Sequence, residues 1–72
     1  MTNEQIQSIA AMTTFGYEEV KEAIRYLTPA VPDLTFEFVK NFTIEVAAKG
    51  GSVSEHAYGL WDLAGRPTIA LR

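Results

Sequence analysis

His56 is the one side chain of this sequence whose ordinary titration falls near neutrality, so any acid–base chemistry would have to be built on it. Glu55 is its neighbour, yet consecutive residues point to different sides of a helix, and Asp62 lies six positions on, out of helical alignment. No serine is placed for activation by it. The plainer expectation is a surface histidine in the first turn of a helix. Glu18, Glu19 and Glu22 stand close enough for a paired-carboxylate site, but such a run reads as a solvated helix face with a Glu18–Lys21 pair worth ~0.3 kcal/mol. Gly50-Gly51 lacks the Gly-x-x-x-x-Gly-Lys-Ser/Thr spacing that cradles phosphate. One histidine and no cysteine exclude a multi-histidine or thiolate zinc centre. No catalytic residue, metal or cofactor is therefore expected, and the chain reads as a non-enzyme.

Charge narrows the partners. Nine acidic against six basic residues give net −3 and a pI near 4.9, the wrong sign for nucleic acid or an anionic membrane surface. The basic residues are scattered and form no block. No apolar run approaches the length of a membrane span, and the first residues are polar, so a cytoplasmic protein is expected. The remaining partner is another protein, with a homodimer as one form of that.

The elements that would position such a surface are helices. Seventy-two residues make one small domain, which buries only about 60% of the surface its unfolded chain exposes. Thr2 and Gln5 fit a capping box, and Ile6, Ile9, Ala10 and Thr13 follow at helical spacing, which predicts a first helix over 3–12. Gly16 caps a second, with Phe15 and Val20 set for a hydrophobic staple and Val20, Ala23, Ile24 and Leu27 forming its stripe. Thr28-Pro29 should stop it, because a residue before proline avoids the α region. Asp33 is the expected cap of a third, long segment that carries Leu34, Phe36, Phe38, Val39, Phe42, Ile44 and Val46. Being apolar on more than one side, it is expected at the centre of the domain. A helix to about Ala48, closed by Gly50, is favoured. The alternation Phe42-Thr43-Ile44-Glu45-Val46 leaves a strand open, pairing with a tail at 67–71 in an α+β arrangement. Ser52 and Glu55 form a second capping-box pattern, and Val53, Ala57, Leu60, Trp61 and Ala64 make a fourth helix ending at Gly65. The predicted fold class is all-α, a four-helix domain with a central long helix.

A hydrophobic content of 47% supplies more large apolar groups than so small an interior covers. Aromatic and branched side chains left outside are the usual anchors of interfaces. Phe15, Tyr17, Tyr26, Phe36, Ile44, Tyr58 and Trp61 are the candidates. Phe15 and Trp61 lean towards the core, whereas Ile44 and Tyr58 fall off the main stripes of their helices. The expected partner-binding residues from this reading include Tyr17, Ile44 and Tyr58.

The run Ile9-Ala-Ala-Met-Thr-Thr-Phe-Gly-Tyr-Glu-Glu-Val-Lys-Glu-Ala-Ile24 resembles the first two helices of ubiquitin-associated domains. Phe15, Val20, Ala23 and Ile24 fall at matching offsets after the loop, while Thr14 stands at that loop's glycine position. The resemblance spans about a quarter of the chain and implies a shared three-helix geometry. It also implies a partner surface at the loop, here Thr13, Thr14 and Phe15. The function expected is thus a protein–protein interaction module, an adaptor or a small inhibitor of a larger protein, of a kind common in phage and mobile elements. The alternative is a helix-turn-helix regulator built on the second and third helices, although that third helix opens without Arg, Asn or Gln to read base edges.

Overall fold

A computed structural model describes residues 1–69 and shows four helices: α1 Asn3–Met12, α2 Tyr17–Ala30, α3 Phe36–Lys49 and α4 Val53–Leu63. The domain is all-α, and among the described residues there is no strand. The 42–46 segment is helical, so the α+β alternative is not supported; Ala70 and Leu71 of its proposed partner strand lie outside the described residues.

The caps show how local chemistry set the ends. Both halves of the Thr2–Gln5 box form: the Gln5 amide donates to Thr2 Oγ1 at 3.1 Å, and the Thr2 amide donates to Gln5 Oε1 at 3.0 Å. Gly16 caps α2 as its spacing implies. Pro29 does not end that helix, which runs one residue further, to Ala30. Proline leaves the Arg25 carbonyl without its helical donor, but in a last turn little follows from one lost bond. The turn is held by Leu27, fully buried, and by the Val31 amide donating to Leu27 O at 2.8 Å. Thr28 Oγ1 also donates back to Ile24 O at 2.7 Å.

Asp33 is not the cap of α3. Thr35 is, its hydroxyl accepting from the Phe38 amide at 3.1 Å. Asp33 lies in the turn closed by the Leu34 amide on Val31 O, which puts it too far upstream. Gly50 (φ 93°) and Gly51 (φ 97°) make the turn into α4, a conformation that side chains with a Cβ resist. Ser52 is the N-cap of α4 by position, but its side chain makes no capping bond. Its hydroxyl donates instead to Glu19 Oε2 of α2 at 2.9 Å and lies 2.9 Å from Ser54 Oγ. A carboxylate is the stronger acceptor, and it took the hydroxyl from the capping role. At the other end of α4 the Gly65 amide reaches Asp62 O and the Arg66 amide reaches Trp61 O, the paired bonds of a Schellman ending.

The buried interior is aliphatic: Ile6 and Ile9, Val20, Ala23 and Leu27, Val39 and Val46, Val53 and Ala57. Thr43 joins them fully buried, its hydroxyl satisfied by Val39 O at 2.7 Å. The dominant pairing is α2 with α4, while α3 packs more lightly against α1 and α4. The apolar helix α3 is therefore not the hub: it is no longer than α2, at 14 residues each, and buries only Val39, Thr43 and Val46. None of the eight aromatic side chains enters the buried set. They form an outer layer.

Candidate functional site

Five of these aromatics lie along two flanks of α4: Tyr26, Tyr58 and Trp61 on one, Phe38 and Phe42 towards the other. Tyr58 and Trp61, three apart, face α2, where the Tyr26 ring stands edge-on to Tyr58 and tilted against Trp61, each at 5.4 Å between centroids. Arg66 closes this cluster: its guanidinium lies 5.9 Å from the Tyr58 ring and 5.7 Å from Trp61, and it donates to Tyr58 Oη and Asp62. The Asp62 hydrogen bond and charge hold the guanidinium above its ordinary pKa. The indole Nε1–H donates to Pro67 O at 2.7 Å, so these aromatics fasten the segment after α4. Tyr58 is 40% exposed, as its place off the stripe implies, yet its ring is engaged.

The other flank of α4 faces α3 across an opening. His56, Gly59 and Leu63 recur there at helical spacing opposite Phe42, Glu45 and Lys49 of α3, and an open groove of about 590 Å³ runs between them over Val46 and Leu60. A smaller depression of about 260 Å³ continues it past Phe38 and Asn41. Phe38 stacks parallel on Phe42 at 6.3 Å and stays exposed. Leu63 is 85% exposed, the most open of the large apolar side chains among the described residues. Gly59 sits mid-helix, and a Cβ there would meet nothing within 4 Å. The absent side chain leaves the groove open at its floor.

The expected binding residues do not gather at this groove. Thr13 donates its hydroxyl to Ile9 O at 3.3 Å and Ala10 O at 3.5 Å and accepts from the Phe15 amide, so it closes α1 internally. Thr14 is exposed, and Phe15 is half-buried against the core. Tyr17 is half-buried, with its hydroxyl donating to Asn3 Oδ1 at 2.8 Å. Ile44 is 43% exposed, but two residues from Phe42 and Val46 it points to the outer flank of α3. The groove is lined instead by Phe38, Gly59 and Leu63, none of which stands among the expected binding residues. Leu63 follows a stripe that ends with Trp61 and Ala64, and the one available signal was a glycine where helix propensity opposes it.

The described polar side chains lie apart from one another or are engaged elsewhere. His56 is exposed and lies over Gly51, where an added Cβ would come 3.2 Å from its Nε2. Asp62 is engaged by Arg66, and Glu19 by Ser52. The ion pair on α2 is Glu22–Arg25 at 3.3 Å, in place of Glu18–Lys21. Among the described residues no group of three or more metal-ligating side chains converges, and no helix is long and apolar enough to cross a membrane.

Fold and groove together define a small four-helix domain with an open apolar cleft between α3 and α4; a second depression of about 320 Å³ lies by Ile24, Thr28, Pro29 and Thr68. Comparison of the chain with protein-family models, with curated proteins and with solved structures gives no match.

Proposed function

We propose that this domain is a non-catalytic protein–protein interaction module that receives a segment of its partner in the α3–α4 groove. The observation that carries this is an apolar cleft with Leu63 85% exposed at one side and exposed Phe38 at the other end. Apolar clefts with a polar margin are common docking sites. The adaptor or small-inhibitor role belongs with this reading, since both need a docking surface and no reaction. The helix-turn-helix alternative has less behind it: α2 makes its main pairing with α4 rather than α3.

The test compares the native chain with Leu63→Glu and Phe38→Glu in capture from host lysate, with helical circular dichroism as the folding control. Both positions are exposed, so folding should persist while a specific partner is lost. Equal capture by the folded variants moves the binding surface elsewhere.

A further inference from the structure

The groove also carries information about what enters it. We infer that its occupant is an amphipathic helix with lysine or arginine along its polar flank, its backbone crossing α4 at Gly59. This rests on the docking reading and adds the partner's chemistry to it.

Helical form follows from what the surface offers. Among the described residues there is no strand edge to extend, which favours an incoming segment that satisfies its own backbone hydrogen bonds. A helix laid between α3 and α4 does so and buries an apolar stripe against Phe42, Val46, Leu60 and Leu63. Gly59 sets where it comes closest. A mid-helix glycine is unfavourable in itself, and beyond the adjoining backbone of α4 no described atom lies within 4 Å of the place its Cβ would take. A missing side chain on an exposed helix face lets a second backbone approach.

Charge decides the flank. Four basic side chains are already held by carboxylates three or four residues away: Arg25 by Glu22, Lys40 by Glu37, Lys49 by Glu45 and Arg66 by Asp62. On the groove's α3 edge Glu45 is thus matched by Lys49, whereas on the α4 edge Glu55 forms no ion pair among the described residues. The unmatched charge at the cleft is negative, as is the net charge of the chain. A second copy would bring the same sign to the same edge, which favours a cationic partner over self-association.

The experiment uses two synthetic helical peptides that share one leucine stripe at i, i+3, i+4 and i+7, one flanked by lysines and the other by glutamates. Binding to the full chain is followed by amide shift mapping. The lysine peptide should perturb Val46, Gly59 and Leu63 and bind about tenfold tighter than its glutamate twin at low salt. Glu55→Gln and 0.5 M salt (about a 4 Å screening length) should both narrow that gap. Gly59→Leu, which has room to fold, should abolish binding of both peptides. Equal affinity of the two peptides overturns the cationic flank and leaves the groove standing. No groove shifts with either peptide, or shifts that survive Gly59→Leu, overturn the groove as well. Self-association through the groove in sedimentation would put a second copy there and overturn the inference.

Discussion

Gly59→Ala is expected to make the domain more stable, and the size of the gain follows from its surroundings. Gly59 is an interior residue of α4, and its Cβ position meets no atom within 4 Å. Neither a clash nor a new packing contact enters, so the change reduces to intrinsic helix propensity, about 0.8–1.0 kcal/mol in favour of alanine. At about 2.1 cal/mol/K of unfolding entropy per residue, 72 residues give ~0.15 kcal/mol/K, and the gain becomes a Tm rise of ~6 °C. Thermal melts followed by far-UV circular dichroism read this directly, and urea titration should show a higher midpoint at unchanged slope. An unchanged or lower Tm would mean that side chains already close over Gly59. The cleft would then have no open floor, and the docking geometry built on it would be refuted.

Three further changes probe other parts of the fold. Ser52→Asp should destabilise by about 1 kcal/mol, although aspartate is an excellent cap in general, because the new carboxylate would face Glu19 where a hydroxyl now donates; urea melts decide, and a neutral result would discount the Ser52–Glu19 bond. Pro29→Ala should stabilise by roughly 1 kcal/mol, less than the ~3 kcal/mol of a mid-helix proline, since an amide returns to the Arg25 carbonyl only in the last turn of α2; a loss on thermal melting would show that proline's stiffening of the unfolded chain dominates. Ile44→Glu should leave both the melt and peptide binding within error, as the side chain is exposed on the flank of α3 turned from the groove; weakened binding would extend the site around that helix.

What the sequence made legible was local. The Thr2–Gln5 box, the Gly16 start and the Val20, Ala23, Ile24, Leu27 stripe needed only neighbours within a turn or two; box and start appear as spaced, and the stripe is buried except for Ile24, which is half-buried against the core. Four helices in one all-α domain followed from the same short-range signals. Competition over longer range was invisible. Ser52 carries a capping-box pattern, yet Glu19, 33 positions away, takes its hydroxyl. Thr35 against Asp33 is a choice between two good caps that the turn after Val31 makes. The apolar richness of α3 suggested a hub, but richness on several faces does not supply the neighbours to cover them, and α2 with α4 became the principal pair. The site was legible only as a surplus of apolar groups. Ile44 and Tyr58 were placed outside by periodicity and are indeed exposed, but which exposed groups share one cleft depends on how α3 and α4 lie together.

The lone indole of this chain is tethered to a carbonyl beyond α4, on the side turned from the cleft. Intrinsic fluorescence is consequently a gauge of whether residues 66 and 67 stay fastened, and a poor one of occupancy between α3 and α4. A titration by emission alone would come out flat for a peptide that binds well, so labels for such work belong on α3.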